Sequence, residues 1–533
     1  MPYAELLACS NRGAVKRLLS LVRQRCQTVL VEHDYADVDH RACHGRLYRF
    51  RHREVPLNCK RLHFFAGLVT GQPKHQDEGY LGFSVIRPLS DQILGRILLS
   101  AGLLPKTTDE RWFVTCSNDY ETDLGGQVLR LRSAVPWMQQ DRMASACASA
   151  AMWVANWHLA HRLGRDLRPH TTPEITDLAT RHSHATGRPM PSNGLTITQI
   201  VDGFAAMGLE PLVFDDLSSE REAHRMIYSY VESGIPVVLV IDGPFDGGHA
   251  VTIVGHSLVG AMPRRNGSGI GRASDAAPCF LVQDDAAGPF GSVRLVLSKY
   301  AHLDPQVQAL WSADPALEAR CEARRGEYPI LCIFDEWHEE PHLAFLSGIV
   351  VPLPQGIHLD AEEADGRARD IATMRWRDEL GRSLETLRTR TFLQPSVEFK
   401  AVCHRSGILP EAGARLERHV MPKWVWVTEI AEAPFGQGEI SGWILMDAAG
   451  HPLGSMADDL VAYVLPSLSG QEFEIALPGR SADSVDVPPQ SAAPFGRFQR
   501  FERLETTFQE VPRKDAGSEA RQDWVGRASG GLV

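Results

Sequence analysis

The hydrophobic pattern between Val135 and Leu297 changes period once, and that change limits the folds open to the chain more than any other feature. The first part of the segment reads as helices. Cys147 to Leu163 contains no Pro or Gly and is rich in Ala, Met and Trp, which suits a buried helix with Gly164 as its C-cap. Thr172-Pro173-Glu174 offers an N-cap followed by Pro at the first helical position. Thr196 to Gln199 reads as a capping box ahead of QIVDGFAAM, closed by Gly208. A third helix, SSEREAHRMIYSYVES, ends at Gly234. Beyond it IPVVLVI, HAVTIVG, CFLVQD and SVRLVLS are β-branched runs bounded by Gly, Pro and Asp. Helices first and strands afterwards predict a segregated α+β arrangement rather than alternating βαβ units.

That segment is one part of a longer chain. At 533 residues the protein exceeds what one ordinary core organises, so several domains are expected. Residues 1–130 read as an α/β domain of their own, opening with an amphipathic helix and continuing through GRLYRFRH and GYLGFSVIRPL as strands. Residues 131–300 hold the segregated segment. Residues 301–480 read as a C-terminal α+β region, in which helical stretches over 304–325 and 361–390 alternate with YPILCIF, WVWVTEI and ISGWILMD. Residues 481–533 have the polar, Pro/Gly-rich composition of a flexible tail.

Composition narrows the function classes. A formal charge of -11 argues against a protein that binds nucleic acid over its whole surface. The N-terminus lacks the apolar core of a secretory signal, and the longest apolar run, LAFLSGIVVPLP, is too short for a membrane span. Ten scattered cysteines without a CxxC pair fit reduced thiols, and hence a cytoplasmic location. Arg41, Arg46, Arg49, Arg51, Arg53, Lys60 and Arg61 form one basic stretch, read chiefly as solvated faces of strands. His33, His40, Cys43, His44, His52, Cys59 and His63 crowd the same region at spacings that match no regular zinc pattern.

The chemistry-bearing residues lie in the segregated segment. A cysteine hydrolase needs a thiolate, an imidazole to take and return its proton, a group to orient the imidazole, and donors for the oxyanion. Cys147 opens the Ala-rich helix, where the positive end of a helix dipole favours a thiolate. His249 follows Gly247-Gly248 and opens a strand, and the glycines leave room for substrate or backbone beside the ring. Asp284 ends the strand CFLVQD with Asp285 beside it, and Gln140 precedes Cys147 with Gln139 beside it. Taken singly these are ordinary residues; their joint order on the expected elements makes them candidates. His256 falls on the opposite face of the His249 strand and makes a poor substitute base. His158, His161, His182 and His184 read as surface groups.

The order VPWMQQ, CASAAM, ESGIPVVLVI, GGHAVTIVGH and FLVQDDAAGPFG resembles the papain-like cysteine peptidases, in particular the double-glycine peptidases that process bacteriocin leaders and their soluble relatives. The resemblance covers residues 135–297. It implies a papain-like fold with the nucleophile on a central helix and His and Asp on an antiparallel sheet. By position the triad becomes Cys147, His249 and Asp284, with Gln140 at the oxyanion hole and no metal or cofactor. Ala148 stands where the family usually has Gly, and Asp285 where it usually has Pro. The implied activity is cleavage of a peptide or isopeptide bond in a protein or peptide substrate through an acyl-enzyme. An acyltransferase using the same triad and an inactive papain-like scaffold are the alternatives.

One interruption stands out. SLVGAMPRRNGSGIGRASDAAP lies between the strands that carry His249 and Asp284 and reads as a long loop with three arginines, Arg264, Arg265 and Arg272. It is expected either to act as a mobile flap beside the cleft or to sit passively at the far end of the hairpin.

Overall fold

The structure is a computed structural model that describes residues 13–485, apart from 70–78, 105–109, 183–189, 245–246, 260–268, 336–340, 382, 406–409, 432–439, 452–453, 455, 467–472 and 477–482. The chain builds three sheets with helices packed on them, an α+β architecture. The first part comprises α1 (Gly13–Arg23), β1 (Thr28–Tyr35), α2 (Val38–Arg46), β2 (Cys59–Phe65), β3 (Tyr80–Ile86), β4 (Leu94–Ser100), β5 (Glu110–Phe113), β6 (Asn118–Leu124) and β7 (Gln127–Met138). Six of these strands form an antiparallel sheet in the order β1-β2-β3-β4-β7-β6. The sheet runs past residue 130 to Met138, so the cut expected at 130 falls within β7.

GRLYRFRH is not a strand. It forms the end of α2 and a 3₁₀ turn over Tyr48–Phe50. The cause is local: the Asp37 carboxylate accepts the His40 N–H at 2.9 Å and caps α2, and a short apolar/polar alternation cannot outweigh a cap. Tyr48 then turns inward and is buried.

The second part holds α3 (Cys147–Leu163), α4 (Thr172–Ala179), α5 (Ile197–Ala206), β8 (Glu210–Phe214), α6 (Glu220–Glu232), β9 (Val237–Asp242), β10 (Gly248–Val259), β11 (Gly271–Arg272), β12 (Phe280–Asp284), β13 (Gly288–Leu297), α7 (Pro305–Ala313), α8 (Pro315–Arg324), β14 (Ile330–Asp335) and β15 (His342–Leu353). Thr171 rather than Thr172 caps α4, and the Thr196–Gln199 capping box opens α5 as its sequence predicts. Strands β9, β10, β12, β13, β14 and β15 pair in a closed antiparallel ring, with β5 added to β10 and β8 to β15. The expected boundary at 300 therefore cuts a barrel, because β14 and β15 are the strands that close it.

The third part contains α9 (Ala361–Thr373), β16 (Arg388–Pro395), α10 (Ser396–Arg405), α11 (Pro410–Arg418), β17 (Trp424–Ala431), β18 (Ile440–Asp447), α12 (Met456–Asp459), β19 (Leu460–Pro466), β20 (Phe473–Ala476) and β21 (Asp483–Val485). Its sheet has the order β11-β16-β17-β18-β19-β20-β21. The helix expected over 361–390 passes through a π-turn and ends at Glu379, and β16 takes up its last residues. Of the expected tail, Asp483–Val485 pairs with β20, while residues 486–533 lie outside the described residues.

One contiguous apolar core runs from Ala14 to Leu465 through all three parts. Helix α3 sits in its middle, with Met152, Trp153, Val154, Ala155 and Leu159 buried. Its small residues admit close neighbours: Thr252 on β10 donates to the Ala151 carbonyl at 2.9 Å, and the Trp153 indole donates to Asp39 at 3.0 Å. Each fully buried large apolar side chain contributes about 1.5–3 kcal/mol, so α3 is fixed against both neighbouring sheets. No described helix is long and apolar enough to cross a membrane.

Candidate active site

The N-terminus of α3, the start of β10 and the end of β12 converge. Cys147 is the first residue of α3 and is half-buried. Ala146, at the N-cap, supplies no side-chain hydrogen bond, so the first-turn N–H groups are left for a ligand. His249 Nε2 donates to Asp284 Oδ1 at 2.9 Å. The Cys147 side chain lies close enough to the same ring to favour its protonated form. The structure thus brings together the three residues expected as a triad.

Electrostatics sharpen this arrangement. Burial alone would push His249 toward the neutral form, but the Asp284 charge, its hydrogen bond, the Cys147 hydrogen bond and Asp285 together hold it well above its usual value. Burial would likewise raise Asp284, yet the His249 charge and hydrogen bond and the Ala286 N–H hold it below the usual carboxylate range. Its Oδ1 also accepts the N–H groups of Ala286 at 2.8 Å and Ala287 at 3.3 Å. The Trp137 indole donates to the Asp284 carbonyl at 2.8 Å, tying this strand end to β7.

Asp285 differs. One oxygen stands 3.8 Å from His249 Nε2, and among the described residues no hydrogen bond of ordinary geometry reaches either oxygen. Burial therefore dominates and pushes it up to about 7, against the favourable pull of His249, the Gln140 backbone N–H and Arg142. The ligand atoms of His249, Asp284 and Asp285 lie within 4.8 Å of one another, a spacing that also suits a metal ion. However, Asp284 Oδ1 is already shared by an imidazole and backbone N–H groups, with a thiol on the same ring. That is the donor pattern of a proton relay.

The two glutamines separate. Gln139 is buried and its side-chain oxygen accepts the Leu94 N–H at 3.0 Å, which commits it to β4. Gln140 is half-buried, takes an Arg87 N–H on its carbonyl at 3.3 Å, and directs its own N–H at Asp285. The loop from there to Cys147 is organised by Asp141, whose Oδ1 accepts the N–H groups of Met143, Ala144 and Ser145 at 2.9, 2.9 and 2.8 Å. The Tyr48 hydroxyl donates to its other oxygen. Sequence reasoning passed over Asp141. Its signal was an Asp followed by small residues just ahead of a helix, the pattern of a side chain collecting local N–H groups.

Other histidines have settled roles. His158 is buried in α3, contrary to the surface position expected, because Asn118 donates to its Nδ1 at 3.0 Å and its Nε2 donates to the Gly234 carbonyl at 3.0 Å. His161 and His182 are exposed, and His184 lies outside the described residues. His256 is buried against Glu232 at 2.6 Å, away from Cys147. His40 and His44 bond the Pro56 and Val55 carbonyls, and His63 bonds the Tyr80 hydroxyl. Of the basic stretch, Arg61 is buried and paired with Glu32.

A Cβ on Gly247 would meet no described atom within 4 Å, while one on Gly248 would touch the Ile241 carbonyl oxygen at 3.8 Å, an ordinary contact. The insertion leaves β10 at Val259, the end of the hairpin opposite His249 and Asp284. Its second half is fixed: β11 pairs with β16, and Arg272 binds Asp365 at 2.5 Å and Glu362 at 3.2 Å. This half forms a strap onto the third sheet, while residues 260–268, on which the flap expectation rests, lie outside the described residues. Arg264 and Arg265 lie outside the described residues. No protein-family profile matches the sequence, and no curated protein matches it.

Proposed function

We propose that the protein is a papain-like cysteine peptidase that cleaves a peptide or isopeptide bond through Cys147, His249 and Asp284. The observation that carries this reading is the meeting of three side chains at one point: Asp284 holds His249 at 2.9 Å, and the Cys147 side chain at the start of α3 acts on the same imidazole. Cys147 passes its proton to His249 as sulfur attacks the substrate carbonyl carbon. Asp284 fixes the ring and favours the imidazolium. The oxyanion that forms is met by N–H groups of the first turn of α3, with Gln140 as the side-chain donor. His249 then protonates the leaving amine as the C–N bond breaks, which leaves an acyl-cysteine. Water, deprotonated by His249, releases the acid and regenerates the thiol. An amine in place of that water would make the protein an acyltransferase. The mechanism requires a free thiol, in keeping with a reducing compartment.

The experiment is selective labelling by a small electrophile such as iodoacetamide. Cys147 should react well ahead of the other thiols, and His249→Ala should abolish the preference. Turnover should vanish in Cys147→Ala and in His249→Ala, with the double variant scarcely worse than either, since the pair acts as a unit. Uniform labelling across the thiols would favour the inactive-scaffold reading.

A further inference from the structure

We propose that the arginine-rich face formed by Arg49, Arg51 and Arg53, beside the loop that leads into Cys147, docks an acidic segment of the peptide substrate. This rests on the reading of Cys147 as the nucleophile. Over residues 46–57 the sequence is RLYRFRHREVPL, with four arginines against one acid, Glu54, in a chain whose formal charge is -11. Arg46 is committed to Asp177 at 2.8 Å. Arg49, Arg51 and Arg53 are exposed, and none pairs with an acid among the described residues. A local cluster of one sign on a chain of the opposite sign attracts a partner complementary to the cluster.

The face is also apolar in part. Phe50 is 71% exposed, with the Arg49 guanidinium 4.4 Å from its ring centroid, and Leu57 is 45% exposed. Exposed aromatic and aliphatic side chains among guanidinium groups suit a peptide carrying both acids and apolar residues better than a uniform polyanion. The position is set by buried contacts. Tyr48, between Arg46 and Arg49, packs with Cys43, Val55 and Ala144 and donates its hydroxyl to Asp141, which organises the loop ahead of Cys147. Cys43 also approaches the Thr172 hydroxyl on α4 at 3.7 Å. The arginine turn is therefore built onto the loop and helices that carry Cys147, and Arg142, exposed on that loop, adds a positive charge felt at Asp285.

The test uses two peptidyl acyloxymethyl ketones that differ only in a run of glutamates or of Gly-Ser, and measures the second-order rate of Cys147 modification. Fluorescein-labelled decaglutamate binding to Cys147→Ala is followed in parallel by anisotropy. The glutamate reagent should react about tenfold faster at low salt, as expected for three exposed charge contacts, and lose this advantage at high salt. Arg49→Ala/Arg51→Ala/Arg53→Ala should remove the advantage and weaken decaglutamate binding about tenfold. Its melting temperature and iodoacetamide labelling should stay unchanged, because these side chains are solvated. Equal rates for the two reagents, or an advantage that survives in the triple variant, would overturn the docking surface while leaving selective iodoacetamide labelling intact. An oligothymidylate that displaces decaglutamate more effectively than an unlabelled glutamate peptide would overturn it in favour of nucleic acid. Uniform iodoacetamide labelling would overturn the nucleophile, and the substrate assignment with it.

Discussion

Two adjacent carboxylates face one imidazole, and their environments push them apart. Asp284 has an imidazole and backbone N–H groups on one oxygen, so its charge is stabilised; Asp285 is buried with no well-formed hydrogen bond among the described residues, so its charge is resisted. A strand's two-residue alternation would place them on opposite faces, but the pairing of β12 with β13 slips between Val282 and Asp284, and alternation stops there. The sequence could therefore nominate the pair and the triad positions, while the division of labour depended on N–H groups that only the turn assembles. Asp284→Ala should slow acylation of Cys147 about 100-fold, because the base loses its orientation. The Asp285 shift makes a separate claim. Its folded pKa of about 7 lies above the ordinary carboxylate value, so the folded protein keeps a proton that the unfolded chain releases. Stability should thus fall as pH rises from about 4 to about 7. Asp285→Asn should flatten that decline, raising the melting temperature above wild type at pH 8 but not at pH 4. The opposite order at pH 8 would show that Asp285 is ionised at no cost.

At the level of elements, what was local in cause was legible. The Ala-rich run, the capping box at Thr196 and the β-branched runs each carry their own signal, and each forms the element it predicts. The misreadings came from non-local or competing causes. GRLYRFRH was decided by a cap at Asp37, and His158 by partners on β6 and after α6. The second half of the insertion, whose placement the sequence left open, is fixed by β16, more than a hundred residues on, which no local pattern announces. Its anchoring yields a prediction. Replacing residues 260–268 by a short turn that keeps Gly271 and Arg272 should leave the rate of Cys147 labelling within about twofold of wild type, since the loop leaves the hairpin far from His249. Arg272→Ala should instead cost about 1–3 kcal/mol, because it leaves Asp365 without its partner in a part-buried site. A large loss of labelling on shortening the loop would favour the flap.

Domain boundaries were the least legible feature, and the reason lies in how the whole molecule closes. The barrel is completed by β15 pairing with β9, and the third sheet borrows β11 from between two barrel strands, so the chain has no cut that severs few contacts. Ion pairs cross the same seam. Glu232, at the end of α6, holds His256 of β10 on one oxygen at 2.6 Å and Arg390 of β16 on the other at 3.3 Å, and Arg390 continues to Glu429 of β17 at 2.5 Å. All four side chains are buried, so each polar or charged group depends on its neighbours for the solvation it has lost. Removing one member leaves a buried guanidinium short of a partner, and such a loss costs about 3–5 kcal/mol. Glu232→Ala should therefore lower unfolding stability by about that amount, even though it lies outside the proposed triad. Because barrel and third sheet share this network and one apolar core, calorimetry should show them unfolding in one transition that the variant shifts as a unit. If Glu232→Ala split the profile into two peaks, or moved only the barrel's share of it, the seam would be a contact between independent domains, and the barrel should then survive without the third sheet.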